Sequence, residues 1–493
     1  MKQPAHFIRL ALCICATVAV AQTKLPDTPA GKRVAAYIQA FNSGNASSML
    51  EFQKNSMTLA ALQRRTDAER QEMYKQIYAD LGALELRRVV TVEPNALTVL
   101  FFSKNKLWAQ FSFAFEGAPP HKLTGIGIDE VDSNTPPGLD QSTPKPANDA
   151  ELSATIGAYL DQQTQADEFS GVVMVAKKGE PIFHKAYGLA NQNYSAPNQL
   201  DTKFNLGSIN KTFTKIAIAQ LAEQGKLAFE DRLGKHLPDY PNRQAAEKVT
   251  ISQLLNMSSG IGDFFGEKYE NTPKNKIRSL QDYLPLFASE PLLFEPGTSR
   301  RYSNGGYIVL GAIIEAVTGQ NYYNYVRDHI FKPAGMQNTD SYEMDAIVPN
   351  LAIGYTRRAS NDEREDPVRR SNVYTAPGRG SSAGGGYSTA EDLLKFTLAL
   401  QQGKLLGPEY TSWMLGDPRS NPPARAAGKT SSRLVKTTNG GLGIAGGAPG
   451  INAMVEQDIA NDYTIIVLSN YDPPAAETVG RQIRSWLPQP DRN

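Results

Sequence analysis

The sequence predicts an α+β protein: a small α+β unit followed by a larger domain in which one mostly antiparallel sheet is flanked by helices. Three observations predict this. Helical periodicity gives way to alternating strands before residue 132. A proline-rich stretch then interrupts the chain. Beyond it, strands at both ends enclose a long helical middle.

In the first unit, over residues 22–132, Val34, Tyr37, Ile38 and Phe41 fall on one face of an amphipathic helix. Thr66 to Leu81 forms another. Leu84 to Val92, Leu97 to Phe102 and Leu107 to Phe115 read as strands, with Lys104-Asn105-Lys106 as a turn. Leu107, Ala109, Phe111, Phe113 and Phe115 alternate on one strand face. Ser133 to Asn148 holds four prolines and little apolar content, which makes 133–149 a linker.

The larger domain, 150–493, opens with a helix around Leu152 to Leu160. Gly171 to Ala176 and Ile182 to Tyr187 form a hairpin about Lys178-Gly179-Glu180. Ile451 to Val455 and Tyr463 to Leu468 are strands, and Ala475 to Trp486 is a last helix.

Composition narrows the chemistry. The 493 residues carry a net charge of +1, which implies neither nucleic acid nor anionic membrane as a partner. Lys2 and Arg9 precede a short apolar run from Leu10 to Val20, and Ala19-Val20-Ala21 fits a cleavage site. Residues 1–21 therefore read as a secretory signal, too short to span a bilayer. Cys13 and Cys15, the two cysteines, lie inside it, so the mature chain would hold no disulfide or thiolate metal site. His6, His121, His184, His236 and His329 show no metal-ligand spacing. No metal and no cofactor is expected.

Ser208-Ile209-Asn210-Lys211 carries the strongest chemical signal. On a helix, positions i and i+3 share a face, so the Lys211 amine can take the Ser208 proton. The helix N-terminus favours the resulting alkoxide. Ser103-Lys104-Asn105-Lys106 repeats the spacing in a hairpin; only Ser208 opens a helix, through Phe213, Ile216 and Leu221 to Gly225. A second element is Tyr302-Ser303-Asn304, in a Pro-Gly-rich loop ahead of the helix Ile308 to Val317. A tyrosine near a lysine ammonium would have a lowered pKa and could shuttle a proton; Asn304 could hold the lysine or a substrate amide. Tyr240, Tyr269 and Tyr322 also begin a Tyr-x-Asn, so the loop context decides. The third element, Gly443 to Gly450, is a glycine-rich turn in its plain reading. In its functional reading Gly446 admits a ligand to the backbone, and the Gly447 and Ser208 amides form an oxyanion hole.

In combination, Ser208-x-x-Lys211, Tyr302-x-Asn304 and Gly446-Gly447-x-Pro449-Gly450 resemble the serine β-lactamase and penicillin-binding-protein superfamily. The likeness covers about residues 150–490 and is greatest to the class C β-lactamase-like branch, which includes D-stereospecific peptidases and esterases. Softer signs are Leu254 to Gly260, Glu295-Pro296-Gly297 and Gly385 to Leu393. The resemblance implies a β-lactamase/DD-peptidase-like fold with Ser208 acylated, Lys211 and Tyr302 sharing acid–base work, Asn304 orienting lysine and substrate, and Ser208 and Gly447 binding the oxyanion. Two positions depart from it. Ile444 stands where the third motif usually has lysine or histidine; Lys436-Thr437-Thr438 nearby lacks the expected glycine. Met257 stands where relatives commonly carry histidine. Residues 28–132 more weakly resemble the nuclear transport factor 2-like α+β cone, whose members bind small molecules or form homodimers.

The expectation is a periplasmic or secreted serine hydrolase for small esters, amides or D-amino-acid peptides, with esterase favoured because isoleucine cannot bind a substrate carboxylate. The alternative is a weak or inactive relative that binds a ligand or partner. A Ser-His-Asp hydrolase is poorly supported, because Ser208 lacks the Gly-x-Ser-x-Gly elbow and His329 falls mid-helix.

Overall fold

The computed structural model describes residues 24–63, 65–93, 95–104, 108–131, 145–358, 365–416 and 441–487. The signal segment, residues 133–144 of the linker, Asn105 and Lys106 of the expected turn, and Lys436-Thr437-Thr438 lie outside the described residues. The chain divides into two compact units, Met1–Gly138 and Leu139–Asn493.

In the first unit, α1 (Pro29–Asn42), α2 (Ala46–Ser56), α3 (Leu59–Leu62) and α4 (Asp67–Leu81) precede four strands. These are β1 (Leu84–Glu93), β2 (Ala96–Ser103), β3 (Trp108–Phe115) and β4 (Leu123–Val131), paired antiparallel in chain order. Helix α1 starts where Thr28 accepts a hydrogen bond from the Gly31 amide and Pro29 presets the first turn. Its buried face, Val34, Tyr37 and Phe41, meets the sheet, with Tyr37 and Phe113 rings 5.1 Å apart. Sequence periodicity found α1, α4 and β1–β3 but passed over α2 and β4. In β4, Gly125 and Gly127 interrupt one of the two alternating rows of side chains, which weakens the strand signal.

The second unit is a mixed α+β fold around a five-stranded antiparallel sheet. Its elements are α5 (Asp149–Gln165), β5 (Gly171–Lys177), β6 (Glu180–Tyr187), β7 (Phe204–Asn205), α6 (Asn210–Glu223), α7 (Asn304–Thr318), β8 (Tyr387–Ser388), α8 (Ala390–Gln401), β9 (Gly443–Ala448), β10 (Ile451–Asp458), β11 (Tyr463–Ser469) and α9 (Ala475–Trp486). Shorter helices lie between α6 and α7. The sheet order is β9-β10-β11-β5-β6, so the two ends of the domain meet where Gly171 pairs with Ser469. The segment Gly443–Ala448, read from sequence as a glycine-rich turn, is the edge strand β9.

Strands β5 and β11 are covered on both faces, which explains their unbroken apolar runs. Val173, Val175, Ile465 and Val467 pack with Ile156 and Leu160 of α5 and Val479 and Ile483 of α9. Val172, Met174, Ile466 and Leu468 join the larger core that holds α6, α7 and α8. Helix α6 is buried from Asn210 to Ala222, so the helix carrying Lys211 is the spine of the domain rather than a surface element. Among the described residues, no helix is long and apolar enough to cross a membrane.

Phe213, one turn into α6, lies edge-on to Phe331 and Phe396 at 5.0 Å each and is 1% exposed. Phe213→Ala should cost about 3–5 kcal/mol, read as a lower denaturant midpoint by tryptophan fluorescence. A loss below about 1 kcal/mol would show that α6 is not the packing centre.

Candidate active site

The nucleophile turn is held before its chemistry begins. β7 pairs with β8, Asn205 opposite Tyr387. The Leu206 amide donates to Gly386 O at 2.7 Å and the Gly207 amide to Asn205 Oδ1 at 2.9 Å. Gly207 then takes a φ of +50°, which glycine adopts freely. Gly207–Ile209 forms a single 3₁₀ turn leading into α6. Ser208 and Lys211, three residues apart across the junction of turn and helix, share one face, and Lys211 Nζ lies 3.1 Å from Ser208 Oγ.

Lys211 is 7% exposed and has three polar neighbours: Ser208 Oγ, Asn304 Oδ1 at 2.7 Å and Ala383 O at 2.6 Å. Burial pushes its pKa down to about 7, against the opposing pull of the Asp263 charge. The donor inventory then sets the orientation of the amine in its neutral form. Ala383 O can only accept, and Asn304 presents its carbonyl oxygen. Both remaining N–H groups of a neutral lysine are taken there, and the lone pair is left for the Ser208 hydroxyl proton. An ammonium would donate to all three.

Tyr302 OH is 2.6 Å from Ser208 Oγ, so Ser208 is bracketed by an amine and a phenol. Sequence reasoning expected the Tyr302 pKa to be lowered by a lysine ammonium; it is raised. Burial around the hydroxyl is the main cause, outweighing the lowering by the bond to Ser208, although the residue as a whole is 55% exposed. The expectation failed because burial of the hydroxyl, reinforced by the Asp263 charge, dominates there. Tyr302 therefore stays protonated and donates to Ser208 Oγ when Ser208 donates to Lys211. The Lys211 amine also lies 4.7 Å from the Tyr302 ring centroid.

Strand β9 runs against the nucleophile turn, and its glycines permit this. A Cβ on Gly446 would fall 2.0 Å from Leu206 O and 2.7 Å from the Ser208 amide nitrogen. A Cβ on Gly207 would fall 2.8 Å from the Gly447 amide nitrogen. The structure thus brings together all six residues singled out from the sequence: Ser208, Lys211, Tyr302, Asn304, Gly446 and Gly447. Ile444 shares the Gly446 face of β9, half-buried against the large core. It places hydrocarbon where a charged side chain was looked for.

Two contributors were not found in the sequence, and a third, Met257, was noticed there without a role. Ala383 acts through a backbone carbonyl, which leaves no side-chain signal. Its loop is wedged in place by the Thr214 hydroxyl on Ser382 O and the Ser382 hydroxyl on Tyr307 O. Asp263 accepts from both the amide and the Nδ2 of Asn304, at 3.1 and 2.7 Å. It lies in a loop without periodicity, and its one cue was proximity to Leu254–Gly260. Met257 takes a φ of +64°, and its sulfur accepts from the Ser303 amide at 3.3 Å, so it backs the Tyr302–Asn304 strip. His329 instead stacks on Tyr325 at 4.3 Å within the π-helical turn Arg327–Phe331, and the side chains bonded to Ser208 Oγ are Lys211 and Tyr302.

An antiparallel sheet backed by buried helices, with a serine, a lysine and a tyrosine converging at its glycine-rich edge, defines a β-lactamase-fold hydrolase. Residues 156–486 match the Beta-lactamase family, and the chain belongs to it. A penicillin-binding protein of Bacillus subtilis (strain 168) is 30% identical over 312 residues, which is 62% of this chain and 68% of that protein. The solved structure of a penicillin-binding protein from Bacillus halodurans is 31% identical, with a TM-score of 0.57 over 67% of this chain and 99% of that one. The D-amino acid amidase of Ochrobactrum anthropi SV3 shares the fold at 24% identity, with a TM-score of 0.55 over 68% and 98% of the two chains.

The β9 contact gives a paired test. Gly446→Ala should lower the unfolding midpoint, because its Cβ would meet backbone. Gly443→Ala, where a Cβ meets nothing within 4 Å, should leave the midpoint unchanged. Equal effects would show that β9 is not pressed on the nucleophile turn.

Proposed function

We propose that this protein is a serine hydrolase that cleaves small neutral esters, and related amides or D-amino-acid peptides, through an acyl-enzyme on Ser208. The observation that carries the reading is the Lys211 amine, 3.1 Å from Ser208 Oγ and held near pKa 7. Lys211 takes the Ser208 proton as Oγ bonds to the substrate carbonyl carbon. The oxyanion formed is received by the Ser208 and Gly447 amides. The carbonyl–leaving-group bond then breaks, Tyr302 gives its proton to the leaving atom, and Lys211 returns one to Tyr302. Water enters by the reverse relay and releases the acid.

Esters are favoured over carboxylate-bearing substrates because Ile444 offers no charge to an anion. Apolar surface also stands next to the site. Phe265, 56% exposed, lies two residues from Asp263, whose Oδ1 accepts a hydrogen bond from the Phe265 amide at 3.1 Å, and Leu293 is 50% exposed beside Gly262. Both suit an apolar acyl group. The same Ile444 motivates the second reading, a family member that binds ligand without turnover. A chain secreted or periplasmic after cleavage at Ala21, with the first unit as a nuclear transport factor 2-like partner or homodimer surface, completes the proposal.

Hydrolysis of p-nitrophenyl acetate by the protein and its Ser208→Ala variant tests the reading. Turnover should vanish in the variant with the fold intact; persisting turnover would refute the assignment, and background rates in both would favour the binding reading. The amine works only when neutral. Activity should therefore rise with pH through about 7 and plateau above it. A limb set near the ordinary lysine value would show that Lys211 is not the base.

A further inference from the structure

The direction in which the neutral Lys211 amine aims its lone pair depends on which way the Asn304 carboxamide faces. With its oxygen toward Lys211, it accepts an amine N–H at 2.7 Å. Rotated by half a turn, its NH₂ would face Lys211 and occupy the lone pair, which would then be lost to Ser208. The choice is made on the far side of the amide. There Asp263 Oδ2 lies 2.7 Å from Asn304 Nδ2 and 3.1 Å from the Asn304 backbone nitrogen. A carboxylate only accepts, so it selects the NH₂ and repels the carbonyl oxygen. Asp263 is itself held: its Oδ1 accepts the Phe265 amide at 3.1 Å, and Asn304 is the first residue of α7, where the helix end favours an anion.

We propose that Asp263 is a positioning residue that locks the Asn304 carboxamide with its oxygen toward Lys211, and so aims the lysine lone pair at Ser208. The proposal rests on the acyl-enzyme reading for its catalytic consequence, but not for the lock itself. Asp263 also acts at a distance, since its charge opposes the burial that drives Lys211 neutral. The other titratable groups facing the amine are the phenols of Tyr302 and Tyr307, whose ring centroids lie 4.7 and 5.6 Å away. Both have raised pKa values and stay uncharged at neutral pH.

The test uses Asp263→Asn, which removes charge and keeps shape, and Asp263→Ala, which frees the Asn304 amide to rotate. Lys211 titration is followed by NMR of protein labelled with ¹³C at lysine Cε, assigned with Lys211→Met. In Asp263→Asn the Lys211 pKa should fall by about one pH unit, and the acid limb of ester hydrolysis should move down with it. In Asp263→Ala, kcat should drop about tenfold or more with KM little changed. An unmoved Lys211 titration in Asp263→Asn would overturn the proposal, as would an Asp263→Ala variant with unaltered kcat. If Asp263→Ala does not fold, Asp263→Leu, which keeps the volume and cannot accept from the Asn304 amide, takes its place with the same kcat criterion. If the wild-type protein has no Ser208-dependent turnover yet Lys211 shifts in Asp263→Asn, the acyl-enzyme reading fails while the link from Asp263 to Lys211 stands.

Discussion

The structure turns on one buried amine. Lys211 sits among Ser208, Asn304 and Ala383, at distances that leave a neutral amine one free direction, toward the serine. Burying a lysine without a directly bonded carboxylate disfavours its charged form. The protein uses that cost to obtain a base near neutral pH without a histidine. The phenol on the other side of Ser208 is governed by the same effect: burial raises its pKa, so Tyr302 keeps its proton and can act as a donor.

The fold supplies the burial. Helix α6 is enclosed from Asn210 to Ala222 by the sheet, α7 and α8, so its first turn is rigid where the serine and lysine must align. The sheet edge β9 closes against that turn through Gly446. The loop ending at β8 threads between α6 and α7 to deliver the Ala383 carbonyl, fastened by Thr214, Ser382 and Asn210. Two of the three lysine contacts come from segments far away in sequence. The base is therefore made by tertiary packing, not by the Ser-x-x-Lys spacing alone.

Local pattern was enough for the elements that bury one regular face. The α1 stripe of Val34, Tyr37 and Phe41 and the helix Ala475–Trp486 were visible because apolar residues recur at helical spacing. The six motif residues were visible because three short patterns occur in order. β9 was read as a turn because glycine carries no strand preference, yet glycine is what lets that edge approach Ser208. Asp263 and the Ala383 carbonyl were invisible for different reasons: one is an ordinary loop carboxylate until Asn304 is placed beside it, the other a backbone atom. The Tyr302 pKa was misjudged because the burial of its hydroxyl leaves no pattern in the sequence.

The central claim is that Ser208 becomes covalently acylated with Lys211 as its base. The most direct measurement is acid-quenched intact mass and peptide mapping after brief exposure to p-nitrophenyl acetate, on the wild type and Lys211→Met. The account requires one acetyl group on the peptide containing Ser208, formed by the wild type and not by the variant. Acetylation confined to another residue, or equal labelling of Ser208 without Lys211, would contradict it.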